Sequence, residues 1–87
     1  MTTKKFYQLI HRTEVLALTA RSKSSLQLDE KNGLFVTPIS IGARSVRYIL
    51  QEVEAVIDAR IKSQSPEKIK QLVSELIASR TENQGGI

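Results

Sequence analysis

Apolar residues recur along this chain with two periods, one helical and one extended, and the change between them falls within residues 33–48. Val15, Leu16 and Leu18 predict a short helix with Thr13 as N-cap, stopping near Thr19-Ala20. Ser22 is then the expected cap of a second helix over residues 23–31. Its apolar positions are Leu26 and Leu28, and Gly33 is its C-terminal stop. Ile39-Ser40-Ile41 and Arg44-Ser45-Val46 alternate around Gly42-Ala43, which predicts a type II′ hairpin because glycine suits the first loop position. In that register Ile41 faces Arg44, Ser40 faces Ser45 and Ile39 faces Val46. Ile39, Ile41, Val46 and Tyr48 then form an inner face, with Ser40, Ser45 and Arg47 outside and Arg44 at the tip.

Beyond the hairpin the helical period returns. Leu50, Val53, Val56, Ile57 and Ile61 predict a third helix over about 50–63, with Gln51, Glu52, Glu54, Asp58 and Lys62 on its other faces. Ser65-Pro66 is a strong start signal for a fourth, and Glu67 favours the positive end of that helix. Ile69, Leu72, Val73, Leu76 and Ile77 form its apolar stripe to about residue 80. That stripe suits either the domain's own core or a self-complementary homodimer seam.

The expected fold is mainly α with a small β-hairpin, a winged helix-turn-helix plus an additional C-terminal helix. Its expected divisions are a DNA-binding domain over 1–63, a packing or dimerisation helix over 64–80 and a flexible tail over 81–87. At 87 residues the core is small, so a further packed helix or a partner chain adds useful stability.

Charge sharpens this picture. The net charge is +4, but residues 1–48 carry eight basic against three acidic side chains, and residues 49–87 carry five against six. A basic front half is what a polyanion would meet. Hydroxyls and arginines on the outside of the hairpin are what a phosphate-touching wing needs. The chain contains no cysteine, which excludes a disulfide framework and thiolate metal sites. With neither a signal-peptide pattern nor a long apolar run, a cytoplasmic protein with no membrane partner is expected. No enzyme, cofactor or small-molecule ligand is expected either. His11 is the single histidine and has no visible nucleophile or base partner. Glu54 and Asp58, one turn apart, read as a solvated helix face, and the glycines form no phosphate-binding fingerprint.

The order of elements also resembles a family. Leu9-Ile10, Arg12-Thr13-Glu14-Val15-Leu16-Ala17-Leu18-Thr19, the Gly33-x-Phe35 step, Pro38-Ile39-x-Ile41-Gly42-x-Arg44-Ser45-Val46-x-Tyr48 and Glu52-Val53-Glu54-x-Val56-Ile57-x-x-Arg60 look like the AlpA family of phage and prophage regulators. That family is similar to excisionases and to the winged-helix domains of MerR-type regulators. The resemblance covers about residues 8–61.

It implies that residues 22–31 are a recognition helix for the major groove of duplex DNA and that Arg44, Ser45 and Arg47 are a wing on the backbone. Lys23, Ser24, Ser25 and Gln27 would then meet phosphates and base edges, Gln27 pairing with adenine, while Arg21 and Lys31 anchor the helix ends. The chain departs from the family pattern at several of these places. Ser25-Leu26-Gln27-Leu28-Asp29 stands where members show a Ser/Thr-Ile-Tyr-Arg/Lys-Leu run. Ala20 replaces a turn glycine, and Val36 a proline. Asp29-Glu30 adds negative charge near the expected DNA surface, which costs affinity unless it faces away. Three functions therefore remain in view: a transcription regulator, an excisionase-like DNA-bending factor, and a protein-interaction module.

Overall fold

The computed structural model describes residues 7–85, in the order β1 (Leu9–Ile10), α1 (Arg12–Thr19), α2 (Lys23–Lys31), β2 (Ile39–Gly42), β3 (Ser45–Ile49), α3 (Leu50–Ile61) and α4 (Pro66–Gly85). Local signals set most of these boundaries. The Ser22 hydroxyl accepts the Ser25 N–H at 3.2 Å, capping α2 where the sequence places its start. At its other end Gly33, with φ 76°, closes a Schellman motif: Leu34 N–H donates to the Asp29 carbonyl at 2.8 Å and Gly33 N–H to that of Glu30 at 3.3 Å. Ser65 caps α4 as expected, accepting the Lys68 N–H at 3.3 Å ahead of Pro66. The cap of α1 is His11 rather than Thr13, because the His11 N–H finds the Glu14 carboxylate at 3.0 Å, half of a capping box.

The sheet is antiparallel with strand order β1-β3-β2. The pattern of the sequence does not announce β1, which is two residues long. It pairs Leu9 with Ile49 and Ile10 with Tyr48. Its neighbour Gln8 supplies the carbonyl that accepts the Leu50 N–H at 2.8 Å, satisfying one orphan donor at the start of α3.

The hairpin corrects the expected register. Ile39 faces Arg47, Ser40 faces Val46 and Gly42 faces Ser45, with an irregularity between Ser40 and Gly42. The two loop residues are therefore Ala43 and Arg44, and Arg44 takes the left-handed conformation at φ 63°. A one-residue slip moves side chains to the other face. Tyr48 stays on the inner side and is fully buried, but Val46 is half-buried, Ile39 now lies opposite Arg47, and Ile41 is 47% exposed in the bulge.

The core gathers Ile10, Val15, Leu26, Phe35, Val36, Tyr48, Val53, Val56 and Ala59 with Ile69 and Val73 of α4. Leu72, Leu76 and Ile77 pack against it. The stripe of α4 thus serves the intramolecular alternative: a dimer seam through Ile69 and Val73 would require α4 to leave its own domain. α4 runs on through Gly85, past residue 80, and residues 86–87 lie outside those described.

One stability prediction arises at the turn between α1 and α2. Ala20 sits at φ 56°, a left-handed conformation that glycine adopts without the Cβ clash. Ala20→Gly is expected to stabilise the protein by about 0.5–1 kcal/mol, a rise in thermal midpoint of roughly 2–6 °C. A thermal melt with an unchanged or lowered midpoint would show that the turn carries no such strain.

Candidate nucleic-acid interface

Helix geometry divides α2 into two faces. Leu26 is fully buried and Asp29 is 7% exposed, with Glu30 and Ser25 half-buried beside them. Lys23, Gln27 and Lys31 follow one another at intervals of one turn on the exposed side, and Ser24 and Leu28 form the adjoining row. These residues make a surface of two lysines, an amide, a hydroxyl and an exposed leucine.

Both acidic residues of α2 turn away from that surface. The Asp29 carboxylate pairs with Arg21 at 2.8 Å and lies 3.6 Å from Arg60. Glu30 accepts a hydrogen bond from the Tyr48 hydroxyl, and that hydroxyl also accepts from Arg12 Nε at 3.3 Å. The Arg12 guanidinium lies 5.8 Å from the centre of the Tyr48 ring, which packs tilted against Phe35. Burial and the Glu30 carboxylate push the Tyr48 hydroxyl up from 10.0 to about 12, while its hydrogen bond raises Arg12 above its ordinary value. This network ties α2 to α1 and to β3. The Asp29 position, where the family pattern has an apolar residue, is accommodated by its two arginines rather than by exposure.

The other residues singled out from the sequence fall into distinct groups. Lys23, Ser24, Gln27 and Lys31 share the open face. Ser25 belongs to the cap: it is half-buried, and its hydroxyl accepts from that of Ser22 at 3.0 Å. Arg21 is held by Asp29, with its side chain 42% exposed. In the wing Arg44 is exposed at the turn, and Ser45 and Arg47 are half-buried. Arg47 Nη1 donates to the Val46 carbonyl at 2.8 Å, which holds its guanidinium along the strand.

Leu28 was not among the contact residues expected from the sequence, although it is 57% exposed. The available signal was spacing, since residues two apart on a helix cannot share one face with Leu26. His11 caps α1, Asp58 pairs with Lys62 at 2.9 Å, and Glu54 is exposed. Among the described residues no group of three or more His, Asp or Glu is placed to hold a metal ion, and no helix is long and apolar enough to cross a membrane.

Two helices joined by a tight turn, followed by a hairpin that shares a core with them, define a winged helix-turn-helix protein. Residues 8–61 match the family described as Prophage CP4-57 regulatory protein (AlpA), and the chain belongs to this family of phage regulatory proteins. The match ends before α4. No significant match is found among curated proteins or solved structures.

Proposed function

We propose that this protein is a sequence-specific regulator of transcription that binds double-stranded DNA, with α2 in the major groove and the β2–β3 wing on the backbone. The observation that carries this reading is the inward turn of Asp29 and Glu30. It leaves the outer face of α2 free of carboxylates and lined by Lys23, Ser24, Gln27 and Lys31. Lys23, Lys31 and Arg44 neutralise phosphates and release counterions, fixing the register. Gln27 pairs with an adenine edge through its amide. Occupancy of a promoter then recruits or excludes polymerase. Asp29 and Glu30 are engaged by Arg21, Arg60 and Tyr48, and Ile69 and Val73 of α4 lie in the core, which favours this reading over a protein-interaction module.

Fluorescence-anisotropy titration of duplexes tiling the DNA beside the protein's own gene, against a scrambled duplex at two salt concentrations, tests the proposal. One tile is expected to bind tightly, with affinity falling as salt rises. Lys23→Ala is expected to weaken all duplexes alike and reduce the salt slope by about one. Gln27→Ala is expected to cost about 1–3 kcal/mol on the preferred tile and to relax its preference at one A·T pair. Equal binding to all duplexes, or to none, would overturn sequence-specific recognition.

A further inference from the structure

The side chain of Leu28 takes no part in the contacts that build α2, although its carbonyl accepts the Asn32 N–H at 3.0 Å. The cap uses Ser22 and Ser25, the ion pairs use Asp29, the tyrosine network uses Glu30, and the core uses Leu26. Leu28 instead stands 57% exposed on the polar side of the helix, one turn after Ser24 and next to Gln27 and Lys31. Among the described residues the other large exposed hydrophobic side chains lie elsewhere: Tyr7 ahead of β1, Leu9 on β1, Leu18 on α1, Ile41 on β2 and Ile61 on α3. Within α2, therefore, one apolar side chain interrupts an otherwise hydrophilic surface, in the segment that would meet the bases.

Leucine has neither donor nor acceptor, so it cannot read the hydrogen-bonding edge of a base pair. What it can read is apolar surface, and the major groove offers one such group, the C5 methyl of thymine. Gln27, the adjacent residue, carries the side chain suited to adenine. An amide for adenine beside an aliphatic group for a thymine methyl describes a preference for an A·T-containing step. We infer that Leu28 is a specificity-determining residue that packs on a thymine methyl close to the base pair contacted by Gln27. The inference rests on the DNA-reading role proposed above for α2.

The test uses the full chain and a duplex that this protein enriches from a randomised pool. Each thymine is replaced in turn by deoxyuridine, which deletes the methyl group and leaves every hydrogen-bonding edge in place. At one or two positions the replacement is expected to weaken binding about fourfold, the value of one buried methyl-sized group. Leu28→Ala is expected to bind the thymine and uridine duplexes equally, at about the affinity the unmodified protein has for the uridine duplex. Leu28→Met keeps an aliphatic surface of similar reach and is expected to retain the discrimination. Gln27→Ala is expected to lose adenine preference yet still distinguish thymine from uridine. Because Leu28 is exposed, the thermal midpoint of Leu28→Ala should match that of the unmodified protein.

Indifference to uridine at every position, or discrimination that survives in Leu28→Ala, would overturn the assignment of Leu28 while leaving DNA recognition standing. Failure to enrich any duplex would overturn DNA recognition by α2 and the Leu28 assignment with it.

Discussion

Arg80→Ala is expected to destabilise the protein by about 3–5 kcal/mol, the range for breaking a buried ion pair from one side. Arg80 holds Glu52 bidentately, with Nε 2.9 Å from one carboxylate oxygen and Nη2 2.6 Å from the other. The same Nη2 donates to the Thr37 carbonyl at 2.7 Å. Glu52 is 6% exposed, so removing its partner leaves a carboxylate with little access to water. Small domains have about 5–15 kcal/mol in all, so the thermal midpoint should fall by roughly 15 °C or more.

Arg80→Lys keeps the charge but loses the planar fork, and an intermediate loss is expected. Replacing both partners, Glu52→Leu with Arg80→Met, should recover most of the stability, because no buried charge is then left unpaired. Urea denaturation of the two single variants and the double variant gives the coupling energy. An Arg80→Ala variant within about 1 kcal/mol of the unmodified protein would show that Glu52 does not depend on Arg80. Thr37 lies just before the wing, so this clamp also links the helix outside the family match to the base of the hairpin. Under the DNA-binding role proposed for α2 and the wing, affinity for DNA should fall in Arg80→Ala even at temperatures where it remains folded.

The second large effect concerns Tyr48. Tyr48→Phe preserves the ring in the core but removes the hydrogen bond to Glu30 and the acceptor for Arg12. The half-buried Glu30 carboxylate loses a partner, at an expected cost of about 1–3 kcal/mol. A pH signature accompanies this loss. The unfolded chain releases the tyrosine proton near pH 10, whereas the folded protein holds it to about 12. Between those values the native state binds more protons than the unfolded state, so stability falls as pH rises; below pH 10 the contribution is fully present. Denaturation measured from pH 8 to 12 should show this decline in the unmodified protein and a shallower one in Tyr48→Phe. Parallel curves would mean that Tyr48 does not carry the alkaline loss.

Much of the fold was legible because its signals are local. The bounds of α2, its Ser22 cap, its Gly33 stop and the Ser65-Pro66 start of α4 each depend on residues within about one turn of one another. The hairpin register was not legible in the same way. Gly42-Ala43 is the cheaper loop by residue preference, yet Ala43-Arg44 forms the turn, and Arg44 takes the left-handed conformation. β3 also pairs with β1 and places Tyr48 against Glu30 and Arg12, and these contacts outweigh the preference of one turn.

For the candidate interface, the basic front half, the helix over residues 23–31 and the arginine-bearing hairpin were present in the linear pattern. What that pattern could not show was the direction of each side chain. Asp29 and Glu30 would oppose DNA if exposed, and spacing sets Leu26 and Leu28 on different faces without saying which of them is buried. Only packing of α2 against Arg21, Arg60, Tyr48 and the core turned both carboxylates and Leu26 inward, leaving Leu28 with Lys23, Gln27 and Lys31. The α4 stripe followed the same division. Its apolar spacing ensured that the helix would be covered, whereas Arg80 reaching Glu52 and Thr37 decided that its own domain would cover it. Sequence by itself determined the bounds of α2, the start of α4 and their Ser22 and Ser65 caps, because hydrogen bonds within a turn set these. Tertiary structure decided register, facing and partners, because burial free energy depends on contacts between residues far apart in the chain.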